Sequence, residues 1–476
     1  MIARVRPNHL DLSVPSTPEN DPLDALPSLL SARPWQVAMI GLGMATAQLD
    51  TSVNIAFPAI SRGFALSIGE IQWVVICYVL TYASLLLAFG RISDTVGHAV
   101  VFRAGLVWST VALLLVGWSP SFGAMLFFRG LQGIGAALVL SCGVALLTSL
   151  YGEDRRSHAL GIYTMMLSLG WMLGPLLGGA LTAAWDWPSV FWFRVPIAVA
   201  SLLFLRGVPA SLRRQATDRF DAVGGVALGL GLVTMLFGIN RVRELSAIWL
   251  GLLSALSFAA FIYREKRAAR PIIAFDILTR PGFALLNLLS VLINFAAFSV
   301  WLLVPYFLAR VPFYSLTESG AILAMAAAGA ALSAPIAGRL AERRISTKSL
   351  AISGAVTNGL GLLLLSAWTE QTPTFLRITG LVIQGAGLGF FQTAYADIVT
   401  AALPLKDRGV AGSLVLLTRT FGTVTAASVV FLVFEILSGD YGFLVGFQKT
   451  FQFAAAMAFA AAALSLLSHR RIRDPS

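Results

Sequence analysis

Charge is scarce in this chain. Only 12% of its 476 residues are Asp, Glu, Lys or Arg, while 57% are hydrophobic and the mean hydropathy is +0.80. A soluble domain carries roughly twice that charged fraction, and no water-soluble fold can hide so much apolar surface. Cysteine is nearly absent: Cys77 and Cys142 both fall in apolar stretches, which excludes a disulfide framework and a thiolate metal site. The four histidines, His9, His98, His158 and His469, lie in tails and loops and form no ligand cluster, so no metal is expected. There is no Gly-x-x-x-x-Gly-Lys-Ser/Thr phosphate loop and no nucleophile–base pair within the apolar runs. Neither ATP hydrolysis nor enzymatic catalysis is therefore expected, no catalytic residue is assigned, and no cofactor is implied.

What the chain does have is long apolar runs. About 20 apolar residues cross a bilayer core as a helix. Fourteen such spans are predicted, at roughly 36–58, 70–90, 99–118, 122–147, 158–184, 190–207 and 221–239, then 246–263, 283–308, 316–338, 349–368, 374–398, 410–437 and 447–468. With the N-terminus inside, most of the 34 Lys and Arg residues fall in tails, loops or helix ends on the cytoplasmic side. Arg62, Arg241, Arg243, Arg310, Arg377 and Lys449 fall outside, and Arg129, Arg194 and Arg419 within the membrane. That positive-inside bias predicts a multi-pass protein of the inner or plasma membrane with both termini cytoplasmic. The net charge of +11 is then topology rather than a nucleic-acid footprint. Residues 1–34, with six prolines and mixed charge, read as a disordered cytoplasmic tail without the apolar region of a cleavable signal peptide.

The chain repeats itself. Gly90-Arg-Ile-Ser-Asp94 is echoed by Gly338-Arg-Leu-Ala-Glu342 at an offset of 248 residues. Gln132-Gly133-Ile-Gly135 is echoed by Gln384-Gly385-Ala-Gly387, and Gly170 by Gly422, both at an offset of 252. Two six-helix bundles, 35–207 and 283–468, follow as parallel copies, with 208–282 a linker carrying an inserted helical hairpin and 469–476 a cytoplasmic tail. The basic loop with Arg264, Lys266, Arg267 and Arg270 reads as a tether on anionic lipid headgroups. Such paired repeats are the architecture of rocking secondary transporters, with a substrate site between the halves near mid-membrane.

Several short motifs sit on this frame. They are Leu49-Asp50-Thr51-Ser-Val-Asn54-Ile-Ala-Phe-Pro58, the stretch Gly90 to Gly97, Arg129-Gly-Leu-Gln132-Gly133-Ile-Gly135, and Gly170-Trp-Met-Leu-Gly174-Pro175-Leu-Leu-Gly178-Gly179. Phe191-Trp-Phe-Arg194-Val-Pro196 and Arg419-Thr-Phe-Gly422 complete the series. Together, over about residues 35–468, they resemble the major facilitator superfamily, specifically its 14-helix drug:proton antiporter family typified by EmrB and QacA. The resemblance implies an all-α major facilitator fold that exchanges small molecules for protons by alternating access. It implies energy from a proton gradient, lipid as surroundings, and a periplasmic adaptor where the cell has two membranes. A monomer holds both halves and suffices.

Asp50 and Asn54 are four residues apart, hence on one face of a regular helix, and Asp50 and Arg129 lie at similar predicted depths. A charge in lipid needs a partner or a wet cavity. Two readings fit the pair: proton coupling at Asp50 biased by Arg129, or a structural ion pair. Gly170, Gly174 and Gly178 form a small-residue stripe beside Pro175, which fits plain helix packing. The resemblance adds that this stripe, with Gly179, packs against the other half and seals the cavity. It also implies a cytoplasmic charge latch from Gly90, Arg91, Asp94 and Gly97, with Arg103 compensating for the basic residue that Thr95 replaces. Arg194 stands where the resembling family has a small polar residue, and would snorkel, pair structurally or attract anionic substrate. Asn287, Asn294 and Trp301 recur every seven residues, and Gln384, Gln392 and Tyr395 share a face. With Asn54 and Gln132 they are candidate cavity residues, or interhelical hydrogen-bond glue. Arg419, Asp397 and Glu435 carry charge of unassigned role. The expected activity is export of amphipathic drugs; the rival is export of one endogenous sugar, amino acid, siderophore or natural product.

Overall fold

The computed structural model describes residues 34–67, 69–151, 156–205, 245–267, 282–311, 313–342, 345–401 and 408–468, with scattered positions between 224 and 238. The predicted tails lie outside the described residues, as do most of the seventh span and the loop of Arg270. Every regular element among the described residues is helical, and nine of the helices are long and apolar enough to cross a membrane.

The first span is broken. It runs as α1 (Pro34–Gln48), a 3-10 turn at Leu49–Thr51, α2 (Ser52–Ile55) and α3 (Phe57–Gly63). Pro58 stands in the first turn of α3, where its missing N–H is tolerated. Long helices follow: α4 (Gln72–Val96), α5 (His98–Gly117), α6 (Phe122–Tyr151) and α7 (Arg156–Trp185). The sixth span is again split, into α8 (Ser189–Trp192) and α9 (Arg194–Phe204). After α10 (Ser246–Glu265) come α11 (Phe283–Leu308), α12 (Leu316–Glu342), α13 (Thr347–Ser366), α14 (Thr374–Ala401), α15 (Arg408–Tyr441) and α16 (Phe443–Ser468). Short connections make successive spans antiparallel, so each end of the bundle is one face. The face where α1 begins is here the near face, and its opposite the far face.

The internal repeat is legible in how backbones approach. Gly133 of α6 faces the Tyr78 carbonyl and Thr81 of α4, and Gly385 of α14 faces the Ala326 carbonyl of α12. Gly135 faces Ser109 of α5 as Gly387 faces Asn358 of α13. Gly170 faces the Cβ of Gln48 as Gly422 faces the Cβ of Asn294. At these positions a side chain would strike the neighbouring helix, so glycine sets the interaxial distance. The echoes at an offset of 252 are thus the same helix contacts made twice, whereas Gly90 lies near Ser141 and its echo Gly338 meets no neighbour within 4 Å among the described residues.

Between the two sets of helices, α7 packs on α12 and α4 on α15. At the far face this contact is closed backbone to backbone: Gly320 of α12 abuts the Pro175 carbonyl, and Gly179 abuts the Leu316 carbonyl. Ser61 and Tyr306 share a 2.8 Å hydrogen bond nearby. By contrast, α10 leaves Ile248, Trp249 and Leu256 exposed, an apolar face suited to lipid, and holds residue 231 through Ser254 Oγ, which donates to the Gly231 carbonyl at 2.9 Å.

A double-arginine clamp on Asp50

The 3-10 turn puts Asp50 where the helix has just lost its regular phase, beside α6 and the α8–α9 break. Arg129 grips the carboxylate with both arms, Nη1 donating to Oδ1 at 2.7 Å and Nη2 to Oδ2 at 2.9 Å. Gln132, one turn along α6, donates from Nε2 to Oδ1 at 3.0 Å and accepts from Arg129 Nη1 at 2.7 Å. Arg129 Nε donates to the Val74 carbonyl at 2.8 Å, so all its nitrogens are used. Bidentate charge-assisted pairs of this kind are among the strongest side-chain hydrogen bonds.

Arg194 supplies a second clamp. Its Nη1 donates to Asp50 Oδ1 at 2.8 Å and its Nε to the Val190 carbonyl at 3.2 Å. The side chain is 0% exposed, so of the readings open for Arg194 the structure places it in a pair rather than at the interface: a closer partner is present. Its Nη2 is buried without a hydrogen-bond partner among the described residues. Phe191 lies under both guanidinium groups, 5.8 Å from that of Arg129 and 5.5 Å from that of Arg194, and Tyr78 stacks on Arg129 at 4.4 Å. Such rings stabilise desolvated cations through their quadrupole. Asp50 keeps 14% side-chain exposure while Arg129 has 1%. Behind Gln132, a cavity of about 10 Å³ between Thr46, Tyr78 and Ser109 has room for a single water. Asn54 is buried, but the 3-10 turn removes the regular four-residue spacing that put it on the face of Asp50.

The glycine stripe packs elsewhere than the resemblance implied. Gly170, Gly174 and Gly178 face Gln48, Thr51 and Ser52 of the first span, within the same half. The contact with the other half belongs to Gly179 and the Pro175 carbonyl. Pro175 has no N–H for the Trp171 carbonyl four residues back, and Thr51 Oγ1 lies 3.5 Å from that oxygen. Trp171, which sequence reasoning passed over, joins the halves: its Nε1 donates to Gln48 Oε1, its ring meets Trp301 edge-on at 5.7 Å, and Arg419 lies over it at 4.2 Å. Trp301 too precedes a proline, Pro305, by four residues. That shared Trp-x-x-x-Pro spacing was the available signal.

The other polar candidates are mostly structural. Tyr395 Oη donates to Asn287 Oδ1 at 2.9 Å, and Asn287 Nδ2 donates to the Phe283 carbonyl at 2.7 Å. Asn294 donates to the Ser290 carbonyl and accepts from Gln392 Nε2 at 3.2 Å. Asn287, Asn294 and Tyr395 are thus buried ties among α11, α14 and α15 rather than open wall; Gln392 is half-buried. Gln384 is turned into the α13–α14 contact, its Cβ against Gly361 and its carbonyl accepting from Asn358. Arg103 donates to the Leu205 carbonyl at 2.8 Å. The side chains of Arg91 and Asp94 lie outside the described residues; Gly97, at φ 110°, makes the sharp turn between α4 and α5. Asp397 and Glu435 are exposed near helix ends, Glu435 facing Gly69 of the far-face loop.

Comparison with known proteins matches this arrangement to a family model described as the Major Facilitator Superfamily, over residues 39–268 and 286–476. The riboflavin transporter RibZ of Clostridioides difficile is 27% identical over 381 residues, covering 79% of this chain and 82% of that one. The multidrug resistance protein Stp of Mycobacterium tuberculosis is 29% identical over 400 residues, covering 82% and 73%. The cephamycin export protein CmcT of Amycolatopsis lactamdurans is 30% identical over 400 residues, covering 81% of each. Among solved structures, a POT family transporter in complex with 5-aminolevulinic acid superposes with a TM-score of 0.70 at 12% identity, covering 93% of this chain and 97% of that one. That likeness is one of fold.

Proposed function

The chain belongs to the Major Facilitator Superfamily and is a multi-pass membrane transporter, and on that premise we propose that it exports amphipathic small molecules from the cytoplasm in exchange for protons. The observation that carries the coupling is Asp50, a carboxylate inside the helix bundle held by Arg129 and Arg194 and still partly open. The names of curated relatives, which include multidrug and antibiotic exporters, favour export over uptake.

In the proposed cycle the near face is cytoplasmic, and the far-face closure at Gly179 and Gly320 seals the outside. Asp50 is then ionised and clamped, drawing the first span onto α6 and α9. In the outward-facing state a proton from outside neutralises Asp50 and removes the attraction that holds two buried guanidinium groups. Since Asp50 lies two residues beyond Gln48, which holds Trp171 at the inter-half seam, release of the clamp reaches the surface on which the halves rock. Proton and substrate use the site in opposite-facing states, the requirement for exchange. The proton gradient supplies the energy and no cofactor takes part.

Inverted vesicles carrying the protein, energised and loaded with a pH-sensitive dye, test this. Addition of a substrate should collapse part of the proton gradient with wild-type protein and leave it intact with Asp50→Asn. Equal substrate-driven proton flux in both would remove Asp50 from the coupling path, and export without proton flux would remove the exchange itself.

A further inference from the structure

The two arginines on Asp50 are anchored differently. Arg129 stands within the unbroken α6. Without the carboxylate it would still hold the Val74 carbonyl at 2.8 Å, Gln132 Oε1 at 2.7 Å and the Tyr78 ring at 4.4 Å. Arg194 has less to fall back on. Apart from Asp50 it reaches the Val190 carbonyl at 3.2 Å and the Thr46 carbonyl at 3.5 Å, and its Nη2 has no hydrogen-bond partner among the described residues. A buried cation that loses its counter-charge is strongly disfavoured and moves toward water or another acceptor. Of the two side chains, Arg194 is the one left in that position.

The backbone at Arg194 is also where this cluster can yield. Arg194 opens α9, and Pro196, the third residue of that helix, has no N–H for the Trp192 carbonyl four residues back. Helices bend where such a bond is missing. On one side of this turn, α8 is tied to the first span by Ser52 Oγ, 3.4 Å from the Val190 carbonyl. On the other, the near end of α9 is tied by Ser201 Oγ, which donates to the Met39 carbonyl at 2.7 Å, and by Arg103, which donates to the Leu205 carbonyl. Between these fixed points Arg194 holds the turn to Asp50. The ionisable groups around that carboxylate are Arg129 on α6, Arg194 on α9, and Tyr78 and Tyr82 on α4; the two arginines donate to it.

We infer that Arg194 is the positioning residue through which proton binding at Asp50 moves the protein. The ionised carboxylate holds the first turn of α9 against the first span; the neutral one lets that turn go, while Arg129 stays in place on α6. This rests on the proposal that Asp50 takes the coupled proton, and adds to it the element that responds. Once α9 withdraws, Asp50 is bound to α6 alone, and Gln48, two residues before it, is freed to shift at the seam with Trp171.

Hydrogen–deuterium exchange of full-length protein in lipid nanodiscs tests this, with Asp50→Asn as the permanently neutral form. Peptides covering residues 193–204 should exchange about tenfold faster in Asp50→Asn than in wild type, and those covering α6 should change by less than about twofold. Arg194→Met should leave α9 protected and abolish its response, so that adding Asp50→Asn changes nothing there. Arg194→Lys, which keeps the charge, should keep the response. A residue that merely packs α9 would behave otherwise: Arg194→Met would itself speed exchange, and Asp50→Asn would add to it. That result, an equal rise in α6 and α9, or no rise in α9 would each overturn the inference. If Asp50→Asn alone does not stay monodisperse, recovery of a monodisperse protein on adding Arg194→Met supports the inference, and no recovery overturns it. The vesicle assay keeps the two readings apart. A response of α9 with equal proton flux in wild type and Asp50→Asn would remove the coupling and leave the Arg194 link standing. Flux lost in Asp50→Asn with α9 unmoved would remove the link alone.

Discussion

At the scale of single residues, the clamp on Asp50 makes unequal partners of its two arginines. Removing the carboxylate leaves two buried guanidinium groups facing each other's field, and loss of one partner of a buried pair costs about 3–5 kcal/mol. Asp50→Asn should therefore lower thermal stability in detergent as well as abolish coupling. Arg194→Met keeps most of the volume, removes an excess charge and leaves the bidentate Arg129 grip intact. Replacing buried charge by apolar volume is often neutral or stabilising. Unfolding temperatures should accordingly rank Arg194→Met well above Asp50→Asn; the reverse order would mean that Arg194, not Arg129, carries the fold at this site. Sequence reasoning reached Asp50 and Arg129 because isolated charges in apolar runs are rare and must pair. It could not join Arg194 to them, since that needs the α8–α9 break and the 3-10 turn to bring two remote spans to one carboxylate.

Among helices, the small residues of α7 act on two different neighbours. A Cβ at Gly174 would strike Thr51 Oγ1, with the Ser52 amide 3.1 Å away. Overpacking of this kind typically costs about 1–3 kcal/mol. Gly174→Ala should destabilise the protein, and Thr51→Ala in the same chain should recover part of the loss, a coupling that a double-mutant cycle on thermal unfolding measures. Gly320→Leu acts on the other contact. Its side chain would meet the Pro175 carbonyl and Gly179, and so would hold the halves apart at the far face. Spin labels on the far ends of α7 and α12 should report a longer distance in that variant, and an unchanged distance would show that another contact closes this face. The glycines themselves were plain in the sequence. Which helix each one meets was not, because successive positions on one helix face different neighbours.

For the molecule as a whole, the orientation is set by where the basic residues fall relative to the spans. Protease added to inside-out vesicles should remove an N-terminal tag, and should leave it intact in right-side-out vesicles; the opposite pattern would invert the transport direction proposed above. What the amino-acid sequence determined by itself is the class of molecule. Too little charge and too many long apolar runs leave no soluble fold, and three echoed motifs at nearly one spacing point to a duplicated helical unit, of which the structure makes the glycine contacts of the two echoes at 252 residues twice. These are properties of composition and period, which need no third dimension. The partnerships were decided only by tertiary structure: two arginines on one aspartate, Gln48 with Trp171, Trp171 with Trp301 and Arg419, and Gly179 rather than the glycine stripe against the opposite half. Each depends on the phase of a helix after a break, and a 3-10 turn or a proline shifts that phase by an amount that spacing along the chain does not encode.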